Sequence, residues 1–114
     1  EDEPERHRDK QRRRQALGED RPDVILSDLA PELSGIKVAD QARAIELCEL
    51  AADLAREVMR PGGTLVVKAF QGEGFEGLLG ALRCEYRAVA ARKPDASRRE
   101  SAEQYLVARG WTGN

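Results

Sequence analysis

The sequence predicts an α/β fold with a mainly parallel sheet whose last two strands form an antiparallel pair. Two short, almost wholly apolar runs, VILS and TLVVKAF, are typical of strands in a parallel sheet. The segment between them has helical periodicity, and two further strand-like runs, AVAARK and QYLVARG, follow a second helical segment. The resulting order, β-α-β-α-β-β with short connections, is typical of strand–helix–strand units.

The folded region is predicted to begin at Asp23, because VILSDLA is a continuous apolar run that favours a strand buried on both faces. Asp40 is the candidate N-cap of the helix that follows. Helical spacing predicts that this helix buries one apolar stripe, composed of Leu47, Leu50, Leu54 and Val58 and widened by Ile45, Cys48 and Ala51. Proline and glycine at 61–63 are expected to end the helix.

The second half of the chain contains three strands and one weak helix by the same criteria. TLVVKAF (64–70) is a buried strand that carries a single charge, Lys68. GEGFEGLLGALRCEY (72–86) is predicted to be a helix in spite of its glycines, which lower helix propensity. AVAARK (88–93) and QYLVARG (104–110) complete the set of strands.

Length and composition indicate one soluble domain, at residues 23–114, behind a charged leader. At 114 residues there is room for a single domain, whereas residues 1–22 have too few apolar side chains to become ordered by burial. A net charge of −2 excludes the overall positive charge of many nucleic-acid binders, so any RNA affinity must come from a local patch. No stretch has transmembrane length and no signal peptide opens the chain, which predicts a cytoplasmic protein.

The cysteine and histidine content argues against a metal site. Cys48 and Cys84 lie 36 residues apart in predicted helices and are expected to be buried, reduced thiols. The lone His7 has no partner for metal or triad chemistry. We therefore expect no metal cofactor.

Three charged residues fall at or near the ends of predicted strands. They are Asp28, Lys68 and Glu103, separated by 40 and 35 residues, about one strand–helix–strand unit each. Ligands of open α/β sheets bind outside the carboxyl ends of the strands, where these side chains can meet. A lysine inside an apolar strand needs an acidic partner or a lowered pKa, unless its ammonium reaches solvent. Taken singly, Asp28 is also a common turn former and Glu103 an ordinary strand-start residue.

Three strings, SDLAPELSG (27–35), VVKAFQGEGF (66–75) and RKPDASRRES (92–101), together resemble the FtsJ family of S-adenosylmethionine-dependent ribose 2′-O-methyltransferases. The resemblance runs from about residue 23 to about residue 110. It implies a partial, Rossmann-like methyltransferase fold with an antiparallel last strand, corresponding to the C-terminal part of the family's domain. It also implies S-adenosylmethionine as cofactor, a uridine ribose of 23S ribosomal RNA as substrate, and a monomer.

The resemblance also implies residue roles. The last three members of the family's Lys-Asp-Lys-Glu tetrad match Asp28, Lys68 and Glu103, whereas the first lysine and the glycine-rich cofactor loop precede the matched region. Lys68 would accept the proton, Asp28 would contact the cofactor and orient the lysine, and Glu103 would be the second orienting acid.

A cluster of basic residues between 83 and 99 is the candidate RNA-binding surface. Phosphate contacts need little more than such a cluster, and KPDASRRES resembles the family's RNA-facing loop. The predicted RNA-binding residues are Arg92, Lys93, Arg98 and Arg99. A solvated loop is the alternative. At the level of the whole protein, the alternatives are a non-catalytic RNA-binding remnant of the fold and a related transfer-RNA or cap ribose methyltransferase.

Overall fold

The structure, a computed structural model, describes residues 20–29, 31–93 and 103–113. It contains four strands and two helices in the predicted order: β1 (Val24–Ser27), α1 (Lys37–Val58), β2 (Thr64–Phe70), α2 (Phe75–Glu85), β3 (Tyr86–Arg92) and β4 (Glu103–Trp111). Most of the expected leader lies outside the described residues, so its boundary at residue 22 stays a prediction.

The four strands form one sheet in the order β1-β2-β4-β3. β1 is parallel to β2, and β4 is antiparallel to both of its neighbours, β2 and β3. Three strands therefore run in one direction and the last runs against them. This confirms the predicted α/β class and the antiparallel last strand.

Both helices pack on the same face of the sheet, and the core lies between them and the strands. Alternate residues of β2, namely Leu65, Val67 and Ala69, are at most 1% exposed, whereas their neighbours on the other face are only half-buried. Leu106 and Ala108 of β4 continue this buried face and are fully buried. The opposite face, which we call the open face, has no helix of the described residues on it.

The expectation that β1 is buried on both faces is wrong. Ile25 packs against the core, but Val24 and Leu26 are 60% and 64% exposed. Side chains alternate between the two faces of a strand. Val24 and Leu26 point to the open face, and β1 lies at an edge of the described sheet, so two of its apolar residues stay accessible.

Two predictions for α1 are also wrong. The helix begins at Lys37 with Ile36 as its N-cap, so Asp40 lies in the first turn instead of capping it. Leu50 and Leu54 are 62% and 48% exposed. The side that faces the core carries small residues, of which the predicted stripe contained Cys48 and Ala51: Ala44, Cys48, Ala51, Ala52 and Ala55. Small side chains let the helix backbone approach the sheet closely, which the longer leucines would prevent.

Of the remaining predictions for single residues, most are confirmed and one is wrong. Cys48 is buried as expected, but Cys84 is exposed, which corrects its predicted burial. The Pro-Gly-Gly segment does end α1, and Gly62 adopts a φ of 88°, a left-handed conformation that glycine accepts without strain. Trp111 closes β4 and is only 2% exposed, so it packs in the core.

Candidate active site

The carboxyl end of β1 delivers an acidic side chain to the edge of the sheet. Asp28 directly follows the strand and its side chain is 56% exposed. β2 runs parallel to β1, with Ser27 opposite Val67, so the residue after β1 lies beside Lys68. The parallel pairing thus brings the first predicted site residue next to the second.

The antiparallel insertion of β4 delivers the second acid to the same edge. Glu103, the first residue of β4, lies opposite Phe70 at the end of β2. The start of an antiparallel strand meets the ends of its parallel neighbours, so Glu103 arrives at the carboxyl edge from the opposite direction. Its side chain is 28% exposed.

Lys68 joins the two acids. Its Nζ lies 2.9 Å from Glu103 Oε2 and 3.2 Å from Asp28 Oδ1. The lysine side chain is 17% exposed, so its ammonium is held in the cluster instead of reaching away into solvent. The structure therefore brings together the three residues that the sequence predicts for the site.

The two carboxylates determine the charge of this lysine. Hydrogen bonds to Glu103 and then Asp28 raise the pKa of Lys68 above its usual value, although partial desolvation acts in the opposite direction. Within the described residues, Lys68 is therefore a charged ammonium at neutral pH. In that state it donates hydrogen bonds and has no lone pair with which to accept a proton.

Tyr105 is a fourth member of the cluster that sequence reasoning missed. Its Oη donates a hydrogen bond to Asp28 Oδ1 at 3.1 Å, the same oxygen that contacts Lys68. Desolvation, followed by this bond to a carboxylate, raises the pKa of Tyr105, so it remains a neutral donor. The signal was present in the spacing, because residues two apart on a strand share a face and Glu103 and Tyr105 are two apart.

Sheet register connects this cluster to part of the predicted RNA-binding surface. Lys68 lies opposite Tyr105, and Tyr105 lies opposite Arg92, so the three form one row across β2, β4 and β3. Adjacent strands are about 4.8 Å apart, which places the Cα atoms of Arg92 and Lys68 about 10 Å apart on one face. Arg92 and Lys93 are both exposed. Arg98 and Arg99 lie outside the described residues, so their role stays a prediction.

Below the lysine, α1 is joined to the backbone of β2. Cys48 Sγ donates a hydrogen bond to the carbonyl oxygen of Lys68 at 3.1 Å. Burial raises the pKa of the Cys48 thiol to about 11. The thiol is therefore a neutral, inert donor whose contact ties the strand that carries Lys68 to the core helix.

The loop after β1 is held by the first turn of α1. Asp40 accepts hydrogen bonds from the amide and hydroxyl of Ser34, at 2.9 and 2.8 Å, and from the amide of Gly35 at 3.3 Å. The bonds from Ser34 lower the pKa of the Asp40 carboxyl. The acid that was expected to cap the helix instead fixes the loop that leads into it.

A pocket of about 330 Å³ lies between this loop, the start of α1 and the end of β2. Its walls include Pro31, Leu33, Asp40, Gln41, Phe70 and Gln71. Gln41 Nε2 donates to the carbonyl oxygen of Gln71 at 3.3 Å. A side chain at Gly72 would come within 2.3 Å of that same nitrogen, so glycine is needed there for Gln41 to reach across.

The described residues provide neither a metal-binding cluster nor a membrane-spanning helix. Residues 20–29, 31–93 and 103–113 contain no group of three or more His, Cys, Asp or Glu side chains placed to hold a metal ion. Neither of the two helices in those ranges is long and apolar enough to cross a bilayer.

Comparison with known proteins gives consistent matches. Residues 4–111 match the family described as FtsJ-like methyltransferase, so the match begins inside the expected leader. A ribosomal RNA large subunit methyltransferase E of Pseudomonas paraeruginosa is 52% identical over 99 residues, covering 87% of this chain and 48% of the relative. The protein of the same name from Stutzerimonas stutzeri is 51% identical over 92 residues, covering 81% of this chain and 45% of the relative.

A solved structure agrees with these matches. A ribosomal RNA methyltransferase from Plasmodium falciparum superposes with a TM-score of 0.71 at 29% sequence identity. The superposition covers 81% of this chain and 48% of that one. The chain therefore spans about half the length of the curated relatives and of the solved structure that it matches.

Proposed function

Because the chain belongs to the FtsJ-like methyltransferase family, we propose that it forms the catalytic C-terminal part of an RNA ribose 2′-O-methyltransferase. The proposed substrate is a uridine ribose in 23S ribosomal RNA and the proposed methyl donor is S-adenosylmethionine. Relatives named for large-subunit ribosomal RNA support the choice of RNA. We also propose that the protein acts in the cytoplasm as a monomer, and that its substrate is ribosomal RNA or a ribosomal particle.

One observation carries this proposal: Lys68 Nζ is held between the carboxylates of Asp28 and Glu103, at 3.2 and 2.9 Å. The cluster lies at the carboxyl edge of the sheet, where α/β folds bind ligands. It also lies on the open face, on which the described residues place no helix. A structural ion pair would suffice to hold two strands together, but two acids that converge on one lysine, with a tyrosine bonded to one of the acids, suit an active site better.

The chemistry assigns a task to each of these side chains. S-adenosylmethionine, when bound, would supply a methyl group carried on a positively charged sulfur, and this sulfur would keep the carbon–sulfur bonding pair as the methyl group is transferred. The ribose hydroxyl must lose its proton as the new oxygen–carbon bond forms. Lys68 is the group that contacts this hydroxyl, and Asp28 and Glu103 fix its position so that the hydroxyl is aligned for attack.

The protonation state of Lys68 determines which role it has. With its pKa raised by two acids, the ammonium can orient the hydroxyl and stabilise negative charge on its oxygen, and the proton of the hydroxyl would then pass to solvent water. To accept the proton, Lys68 needs a second cation near the acids, which would lower its pKa. The first lysine of the family's tetrad is the natural source of that charge.

The described residues fit part of a cofactor site. Asp28 is the residue that would contact S-adenosylmethionine, since its side chain remains 56% exposed despite its two partners. Leu29 beside it is 61% exposed and can pack against an apolar part of the ligand. These residues form one wall of a cleft.

Arg92 and its neighbours are the proposed phosphate contacts. Arg92 lies in the same row as Lys68 on the open face, so a strand of RNA whose ribose is at Lys68 brings its phosphates within reach of the arginine. Lys93, Arg98 and Arg99 would extend this surface along the segment that joins β3 to β4.

The decisive experiment uses a chimaera in which this chain replaces the matching half of the Pseudomonas paraeruginosa relative. Lys68→Ala should lower single-turnover methylation of unmethylated large ribosomal subunits by about 100- to 10,000-fold, the usual contribution of a general acid or base. Arg109→Ala is the matched control, because Arg109 is a cation of the same sheet located at the opposite end of β4.

Lys68→Arg separates the two roles. Arginine keeps the positive charge but does not deprotonate in proteins. Activity as low as in Lys68→Ala would support proton acceptance, and substantial activity would support orientation by charge alone. An unmodified chimaera that binds the subunits without methylating them would overturn the proposed activity and favour an RNA-binding remnant.

A further inference from the structure

The pocket beside the Lys68 cluster has no role in the methyl transfer described so far. It measures about 330 Å³, within the range of about 300–1,000 Å³ typical of sites for small ligands. Pro31 and Leu33 form one wall and Phe70 forms another, while Asp40 and Gln41 contribute polar groups. Both walls are short extensions of segments that carry site residues.

Phe70 connects the pocket to the lysine directly. It lies two residues after Lys68 on β2, so the two side chains share the open face with their Cα atoms about 7 Å apart. Pro31 lies three residues after Asp28 on the other side of the pocket. An aromatic ring and a proline therefore border a cavity immediately beside the proposed position of the ribose.

The covalent structure of a nucleotide determines what would occupy this cavity. The base is attached to C1′, the carbon next to the one that bears the reacting 2′-hydroxyl. When that hydroxyl contacts Lys68, the base must lie within one sugar ring of it. Arg92 lies two strands away from Lys68, across β4, whereas Pro31 and Leu33 follow β1 on the other side of β2. Phosphates directed to Arg92 therefore leave the base on the side of the pocket.

We propose that Phe70 is the stacking surface for the base of the nucleotide to be methylated, with Pro31 and Leu33 as the facing wall. Proteins that recognise single-stranded RNA commonly stack unpaired bases on aromatic side chains. Gln41 borders the same space, and its carboxamide oxygen has no hydrogen-bond partner among the described residues, so it is available to the edge of the base. This inference rests on the proposed function, because Lys68 fixes the position of the sugar.

The test measures binding, so that it does not depend on methyl transfer. The 114-residue chain is titrated with a hexamer of uridine and with an abasic ribose-phosphate strand of the same length and charge, and fluorescence anisotropy gives both dissociation constants. The unmodified chain should bind the uridine strand more tightly by about 5- to 150-fold, the effect of one base–aromatic stack. Phe70→Leu should remove this preference, whereas Phe70→Tyr, which retains the ring, should keep it.

Two controls distinguish the base from the phosphates. Arg92→Ala should weaken the binding of both strands by the same factor, because it removes a contact to phosphate groups that both strands carry. Leu33→Ala, at a residue that is 76% exposed, should reduce the preference less than Phe70→Leu does. Thermal unfolding of each variant shows whether the chain remains folded.

The outcomes separate this inference from the proposed function. If the Phe70→Leu variant keeps the preference for the uridine strand, or binds both strands more weakly by the same factor, Phe70 does not stack the base and the inference is wrong. If Phe70→Leu in the chimaera instead weakens S-adenosylmethionine binding, the pocket belongs to the methyl donor and the inference is equally wrong. Failure of the proposed function would appear elsewhere, as an unmodified chimaera that binds large ribosomal subunits without methylating them, and the preference of the chain for uridine is measured independently of that result.

Discussion

The two faces of β2 differ in what they contribute to the protein. Leu65, Val67 and Ala69 point to the helices and are almost completely buried, whereas Lys68 and Phe70 point to the open face beside the ion cluster and the pocket. One seven-residue strand therefore holds the core with one set of side chains and the candidate site with the other. The alternation suggests that stability and activity can be changed separately at neighbouring positions.

The largest expected effect in this comparison is on cofactor binding, because the open face supplies only one wall of the proposed cofactor site. The isolated chain should bind S-adenosylmethionine at least about 100-fold more weakly than the chimaera does, because ligand sites usually bury most of the ligand and one wall buries little of it. Titration calorimetry on both proteins measures the difference. Tight, stoichiometric binding by the isolated chain would show that the open face is a complete cofactor site.

Adjacent valines test the comparison most directly, because the chemical change is the same on both faces. Val67→Ala should lower the free energy of unfolding by about 2 kcal/mol, since it removes two buried carbons and leaves a cavity. Val66→Ala, on the half-buried open face, should cost less than about 1 kcal/mol. Urea denaturation measures both values, and equal losses would contradict the division between the faces.

The buried thiol of Cys48, beneath Lys68, should make the free energy of unfolding decrease as the pH rises into the alkaline range. The raised pKa of Cys48 means that its protonated form contributes stability that is complete below pH 9 and is lost as the pH rises towards 11. We expect a loss of about 1–2 kcal/mol over that interval. Cys48→Ala should reduce the slope, whereas Cys84→Ala, at an exposed cysteine, should leave it unchanged.

The smallest expected effect concerns the polar segment after β3. Replacing Arg98 and Arg99 by alanine should weaken RNA binding and reduce its salt dependence by about 1 in slope for each lost phosphate contact. Methylation at saturating RNA should be nearly unchanged, in contrast to Lys68→Ala. If the dependence of RNA affinity on salt concentration is unchanged in this variant, the prediction is wrong, and a solvated loop without RNA contacts is favoured.

The order of elements and the meeting of three site residues could be predicted from the sequence because both depend on short-range regularities. Strands end where apolar runs end, and parallel connections return the chain to the same edge, so Asp28 and Lys68 had to be near each other. Tyr105 could have been included by the alternation that places it with Glu103. These are consequences of backbone geometry.

The wrong predictions, on the burial of α1 and β1, have a different physical origin. They depend on which faces of a helix or strand are covered by other elements of the fold. α1 carries apolar residues on more than one side, so periodicity placed Ala51 in one broad stripe with Leu50 and Leu54 and could not show that only the side of Ala51 is buried. The apolar run of β1 likewise does not show whether one face or both are covered. Close packing selected the small residues of α1, and the pattern of hydrophobicity carries no information about that choice.

The position of β4 has a consequence for the order of events during synthesis. β4 follows the other described strands in the sequence, yet it lies between β2 and β3 and supplies Glu103 and Tyr105. A nascent chain that has emerged only as far as β3 has a gap in its sheet and a lysine with one acid instead of two. Domains begin to fold as they leave the ribosome, but here an internal strand of the described sheet is synthesised last, so the sheet and the cluster around Lys68 can be completed only after β4 has emerged.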